Sequence, residues 1–267
     1  MLKDGTFVKG IGDTVGVEEE FHIVNGAAGG LRPAASTLML TPAEVEPELQ
    51  RTMIETASVV CTDMASLRTD LVRRRQRLID AAGRSGLAVA ASGSLPCSGE
   101  PVGRVYPTAR YQWMYEEYRQ IVVEQQVCAC QVQVGVPNRD LAVRVCRRVR
   151  AWLPVLLALS ASSPMFRRVD TGYASFRTIA ISRWPTVGPP PDFESAAEYD
   201  EAVSTLVDSG VISDAGMIYY DARPSARYPT VEIRIADACP SIDDAVLLAA
   251  LGRALVVAAA AEDRAGH

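Results

Sequence analysis

The chain lacks a basic excess. Its 267 residues hold 27 Lys and Arg against 32 Asp and Glu, a formal net charge of −5, whereas a nucleic-acid binder is expected to show a basic patch or domain. The local exception, Arg73-Arg74-Arg75-Gln76-Arg77, lies in a helical segment that also carries acids and reads as a solvated helix face. The N-terminus has no apolar core followed by a small-residue cleavage site, so export is not expected and a cytoplasmic location is. Cysteine is sparse. Cys61, Cys97, Cys128, Cys130, Cys146 and Cys239 show no disulfide framework, and without export they are expected to be reduced. Cys128-Ala129-Cys130 has no second Cys or His pair at zinc-site spacing, which favours buried strand cysteines over a metal site. No apolar run is long enough for a membrane span: residues 245–261 are interrupted by Arg253 and fall short of the roughly 20 residues needed. A helix that is buried or packed on a partner is expected there, with neither membrane nor nucleic acid as partner.

What remains is 48% hydrophobic and 22% charged, the balance of a soluble globular protein with chain enough for a real core. Two-residue periodicity predicts a strand over 14–24, with Val15, Val17, Phe21 and Ile23 on one face and Glu18, Glu20 and His22 on the other. Carboxylates on one strand face repel unless a cation sits between them, but a solvated sheet face also tolerates them. Both readings stay open at this point. Glu48 and Glu55 stand in the more apolar stretch 41–60. Helices are predicted over 64–82, 111–126, 139–159 (interrupted near Pro154) and 195–209. A last helix follows the N-cap Ser241, with Asp243 and Asp244 in its first turn. Strands are predicted over 87–91, 127–136, 173–181, 217–222 and 230–236, and 185–191 reads as a stiff surface connector. In 127–136, Cys128, Cys130, Val132 and Val134 point to the core and Gln131 and Gln133 to the other face. Strands separated by helices, with charged inner faces, predict an α+β domain: a curved, mostly antiparallel sheet flanked by helices and holding a cleft.

Five motifs belong together: Gly16-Val17-Glu18-Glu19-Glu20-Phe21, the strand ending Gln131-Val132-Gln133-Val134-Gly135, residues 153–160 (LPVLLALS), Asp170-Thr171-Gly172-Tyr173-Ala174-Ser175, and Thr230-Val231-Glu232-Ile233-Arg234. In combination, from about Gly12 to the end of the chain, they resemble the carboxylate–amine ligase (glutamate–cysteine ligase type 2) family, related to glutamine synthetase. The resemblance implies a glutamine synthetase-like catalytic domain over residues 1–267. It implies an ATP- and Mg²⁺-dependent ligase that activates a glutamate-like carboxylate as an acyl phosphate, which an amine captures as an amide. Hard Mg²⁺ prefers carboxylate oxygens, and metals and Arg stabilise a phosphoryl group in transfer.

By the same resemblance, Glu18, Glu20, Glu55 and Glu232 match metal-binding acids, with Glu48 a further candidate. Arg234 matches the arginine facing phosphate or acyl phosphate. Arg177 is a second catalytic candidate, and Arg223, Gln131 and Gln133 would join Arg234 at the nucleotide. For each arginine the plain alternative is a structural ion pair. The substrates implied are small molecules, an amino acid and an amine.

The chain also departs from the family pattern. Gln131-Val132-Gln133 stands where His-x-His is usual, and Gly93-Ser94-Leu95-Pro96 where Gly-Thr-His-Pro is usual. Two histidines exist in all, His22 and His267. A Gln carbonyl offers oxygen to Mg²⁺ but no imidazole nitrogen, and it cannot titrate near neutral pH. His22 shares the Glu18 and Glu20 face and reads as a rim histidine. The helical part that usually follows in the family is expected to be missing: either the chain is a fragment, or a homo-oligomer or a partner subunit covers the helix around 245–261. A repurposed or degenerate member is therefore the alternative, one that binds an amino-acid derivative or partner without ATP-dependent ligation. A variant that keeps catalysis but drops ATP is a third.

Overall fold

Alternation of apolar and polar side chains builds the central strand β1 (Val15–Asn25). The computed structural model describes residues 10–27, 29–38, 44–96 and 105–266, so Cys97 and His267 lie outside the described residues. After β1 come β2 (Glu46–Pro47), β3 (Met53–Ala57), helix α1 (Met64–Arg84) and β4 (Leu87–Ala90). Then follow α2 (Ala109–Tyr118), α3 (Gln120–Glu124), β5 (Cys130–Gly135), α4 (Arg139–Val149) and α5 (Leu153–Ser160). A small hairpin, β6 (Met165–Phe166) and β7 (Val169–Asp170), precedes α6 (Phe176–Ile181) and α7 (Ala196–Asp208). The chain closes with β8 (Ala222–Pro224), β9 (Thr230–Ile233) and α8 (Ile242–Arg264).

The main sheet has the order β2-β3-β1-β5-β9-β8, and β4 pairs with the C-terminal half of β1. Its ladders are antiparallel. The register fixes the site. Glu18 lies opposite Ala57 and Gln131, Glu20 opposite Glu55, and Glu232 opposite both Gln133 and Arg223. Because side chains alternate, these polar groups share one face, and Val15, Val17, Val132, Val134, Val231 and Ile233 share the other. That apolar face meets Leu67 and Leu71 of α1, Val145 of α4, and Leu248 and Val256 of α8 in the largest core cluster. Full burial of each such side chain contributes roughly 1.5–3 kcal/mol. Gly252 lets α8 approach closely: a Cβ there would lie 3.0 Å from Ile233 Cδ1 and 3.4 Å from Val132 Cγ1. On the polar side a second cluster, including Met114, Trp184, Ile212, Met217 and Ile218, supports the wall of the cleft.

Several elements differ from expectation. Residues 173–181 are no strand: Ser175 caps α6 by accepting from the Thr178 amide, and this local signal overrides the β-branched Thr178, Ile179 and Ile181. The helix expected over 111–126 divides at Arg119, whose φ of +44° breaks the α-helical run. At 217–222 the Asp214 side chain caps a 3-10 turn, Ala215–Met217, and the strand begins only at Ala222. The connector 185–191 is not wholly on the surface, since Thr186 is buried and donates to the Met217 carbonyl at 2.6 Å.

The arginine run of α1 is only partly a solvated face. Buried Arg74 pairs with Asp70 at 2.6 Å, and Arg75 reaches Glu19 at 2.6 Å and the carbonyls of Cys239 and Pro240. Helix α8 runs 23 residues, beyond both ends of the apolar stretch 245–261, and contrary to expectation is long and apolar enough by length and composition to cross a membrane. Here it buries Ala245, Leu248, Ala249, Gly252 and Val256 and leaves Leu247 and Val257 exposed. The cysteines among the described residues are free and buried.

Candidate active site

The polar face of the sheet floors a cavity of about 580 Å³. Glu18 and Glu20 enter it from β1, Glu55 from β3, Gln131 and Gln133 from β5, Arg223 from β8 and Glu232 from β9. Arg234, just beyond β9, and Arg177 of α6 also line it. With Glu48, all ten acids, arginines and glutamines singled out from the sequence therefore share one cavity, but they divide into two groups.

The first group is acidic. Oxygens of Glu20, Glu48 and Glu55 lie within 4.8 Å of one another. The Ala129 amide donates to Glu20 Oε2 at 2.7 Å and Gln131 Nε2 to its Oε1 at 3.0 Å. Glu48 accepts from the Leu49 amide at 2.6 Å. Burial, and then the neighbouring Glu48 charge, push the Glu20 carboxyl up to about 7. Burial also raises Glu48, and Glu55 rises well above the usual carboxylate range through burial and then repulsion from Glu18, Glu48, Glu20 and Glu46. Desolvated like charges at this spacing are relieved by protons or by a cation. The donors are carboxylate oxygens without an imidazole, a set that fits a hard divalent ion such as Mg²⁺.

His22 corrects the expectation of a rim histidine. It is fully buried, in register with Ala90 of β4, and burial pushes its imidazole down to about 4 despite the opposing Ser92 backbone. The strand has carried it past the cavity. Leu95 is likewise no site residue, being packed with Val24 and Leu31.

The second group joins acids to arginines. Glu232 accepts from Arg223 at 3.1 and 3.2 Å and from Arg234 Nη1. Burial would raise its pKa, but the Arg234 and Arg223 charges outweigh burial and hold it at about 2. Arg234 in turn stays protonated: burial disfavours its charge, but Glu232 raises its pKa further above the ordinary value. Its guanidinium also donates to Gln131 Oε1 and stands 5.7 Å over the Tyr219 ring. Gln131 thus bridges the groups, amide nitrogen to Glu20 and oxygen to Arg234. Gln133 donates to Glu18 at 3.3 Å and accepts from Thr230 at 2.6 Å. Burial and then Glu232 raise Glu18 to about 7 against the pull of Arg234.

Of the predicted metal acids, then, Glu20 and Glu55 meet Glu48, whereas Glu18 stands outside that trio and Glu232 is engaged by two guanidiniums. Arg177 is 5% exposed and spends two donors on the carbonyls of Ile235 and Arg234, at 3.1 and 3.2 Å. Glu46, the β2 partner of Glu55, also lines the cavity and is not among the residues expected from the sequence. Glu46-Pro47-Glu48 repeats the Glu-x-Glu spacing of β1, which was a usable signal. Arg110, paired with Asp214 at 2.8 Å, and Tyr219 also line the cavity, and no spacing pointed to them.

Residues 14–266 match the family model described as glutamate-cysteine ligase family 2 (GCS2). The chain belongs to this family. It is 48% identical over 254 residues to "Putative glutamate--cysteine ligase 2-3" of Frankia alni, an alignment covering 94% of this chain and 30% of that protein. It is 42% identical over 254 residues to "Putative glutamate--cysteine ligase 2" of Salinispora arenicola, covering 93% and 67%. The chain thus spans about a third of the first relative's length and two thirds of the second's. A bifunctional glutathione synthetase from Pasteurella multocida shares the fold with a TM-score of 0.68 at 13% identity, over 91% of this chain and 39% of that one. A glutamate–cysteine ligase from Francisella tularensis, solved in complex with AMP, gives 0.62 at 12%, over 85% and 61%. The expected α+β architecture, a mostly antiparallel sheet flanked by helices, is the one found.

Proposed function

We propose that this glutamate–cysteine ligase family 2 chain forms one catalytic domain of an ATP- and Mg²⁺-dependent carboxylate–amine ligase. Its substrates are a glutamate-like amino acid and an amine, and the carboxylate passes through an acyl phosphate to an amide. The observation that carries this reading is the division of a single cavity into the Glu20–Glu48–Glu55 trio and the Arg223–Glu232–Arg234 group, joined by Gln131. Such a cavity has a size usual for small-molecule sites, roughly 300–1,000 Å³.

Glu20, Glu48 and Glu55 would hold Mg²⁺, with Glu18 and Glu232 as further oxygen donors. Bound there, the ion neutralises these carboxylates and draws charge from phosphate oxygens. Arg234 and Arg223 supply fixed positive charge on the facing wall, where burial strengthens their pull on an anionic phosphoryl group. Glu232 anchors both guanidiniums, so they need not reorganise when charge develops. Gln131 holds Arg234 and Glu20 in fixed relation without adding a charge of its own.

ADP release in the presence of Mg²⁺, ATP, amino acids and amines tests the reading. Turnover that needs both a carboxylate and an amine, and that is lost in Glu55→Gln, supports it. Release that ignores both substrates, or survives that substitution, contradicts it.

A further inference from the structure

Beyond the cavity wall lies a buried carboxylate that none of the chemistry above uses. Asp237 is fully buried. Its Oδ2 accepts from the Ser162 amide at 3.0 Å and the Ser163 hydroxyl at 2.6 Å, and its Oδ1 accepts from the Ser175 hydroxyl at 2.8 Å. Arg177 Nη1 stands 3.9 Å from Oδ1. The contacts continue from both ends of this cluster. Ser163 Oγ accepts from the Arg177 amide at 3.0 Å, and Ser175 caps α6, the helix that carries Arg177. The Arg177 guanidinium then grips the carbonyls of Arg234 and Ile235. On the backbone side, Asp237 pairs with Ala129, whose amide holds Glu20.

We infer that Asp237 is a positioning residue, and that through Ser163, Ser175 and Arg177 it sets the aim of Arg234 while its backbone braces the residue that holds Glu20. A single buried anion thereby links the two groups of the cavity. The packing around it leaves no slack: a Cβ on Gly93 would lie 2.6 Å from Asp237 Cγ. A carboxylate with several fixed donors is held in one orientation, because each donor left unmatched would carry its desolvation penalty. The Arg177 fork needs two acceptors at fixed spacing, and a lysine cannot reproduce it. The inference rests on the ligase reading for its consequence in turnover, and on geometry alone for the coupling to Arg234.

Two substitutions in the full chain test it, Asp237→Asn and Arg177→Lys. Asn keeps the size but turns one acceptor into a donor against Ser162, Ser163 or Ser175. Arg177→Lys leaves Asp237 in place and removes the two-carbonyl grip. In protein labelled with ¹⁵N-arginine, each is expected to shift the side-chain N–H signal of Arg234, measured without nucleotide. In turnover, each is expected to lower kcat about tenfold or more with KM for ATP within about threefold, and the double variant is expected to lose no more than the worse single one. If Asp237→Asn does not fold, Arg177→Lys carries both readouts. An unchanged Arg234 signal in the folded variants overturns the positioning role, as do kcat losses that multiply in the double variant. A wild-type protein without turnover would sink the ligase reading, while the Arg234 signal would still decide the positioning.

Discussion

Glu20 on β1 and Glu55 on β3 are direct cross-strand partners, and Glu46 on β2 continues the same row beyond Glu55. Like charges in this relation cost a sheet up to about 1 kcal/mol per pair. Burial adds to that cost, which is why the carboxyls of Glu20 and Glu55 sit high. Under the proposed function the row is a cation-binding wall whose strain is the cost of that role.

Glu55→Gln is therefore expected to stabilise the metal-free protein, by about 0.2–1 kcal/mol for the repulsion removed, while weakening Mg²⁺ binding. Thermal unfolding with chelator and with Mg²⁺ checks both halves. The variant should melt higher than wild type in chelator and gain less from Mg²⁺. A variant that melts lower in chelator and gains as much from Mg²⁺ as wild type would contradict the assignment.

The acids also fix a pH dependence. Glu18 and Glu20 are raised from 4.5 to about 7 in the folded protein, so the native state binds more protons than the unfolded one between those values. Stability from this source is full below about 4.5 and is lost as pH rises through about 7. Metal-free protein should melt higher at pH 5.5 than at pH 8. Mg²⁺ must displace the same protons, so its affinity should rise over that interval and binding should release protons. Calorimetry in buffers of different ionisation enthalpy counts them. Glu232 behaves oppositely: lowered to about 2, its contribution is present above about 4.5 and is lost only toward pH 2.

Gln131→Ala removes the amide between Glu20 and Arg234. Each partner then loses a buried hydrogen bond, a cost of about 1–3 kcal/mol. Urea unfolding should show a lower midpoint with an unchanged slope, and nucleotide affinity should fall with it. An unchanged midpoint would mean that Gln131 only fills space.

Much of this site was legible because a strand of period two announces its faces. Glu18 and Glu20 fell on the same side as expected, and Gln131, Gln133 and Glu232 joined them through register. Glu19 shows the limit. Periodicity places it with the core residues, and only a tertiary contact with Arg75 explains how a carboxylate can be buried there. Arg119 breaks a helix with no Gly or Pro to mark the break. Ser175 shows a cap overriding strand-forming residues, a competition the sequence displays but does not decide. Arg110 and Tyr219 reach the cavity by tertiary placement alone.

The back of the sheet offers a control. Gly252→Val would press extra carbon atoms onto Ile233 and Val132, which already lie 3.0 and 3.4 Å from the Cβ position. Overpacking of this kind costs about 1–3 kcal/mol. A drop in chemical-denaturation stability of that size is expected, and an unchanged stability would contradict the close approach of α8 to β5 and β9.

Calorimetric titration of the metal-free protein with ATP, with and without Mg²⁺, decides whether the acidic trio and the arginine group together form a metal–nucleotide site. ATP binding is expected to depend on Mg²⁺ and to be lost when Glu20 is replaced by Gln. No binding at millimolar ATP, or binding indifferent to Mg²⁺, would contradict it and turn the cavity toward an amino-acid derivative bound without nucleotide.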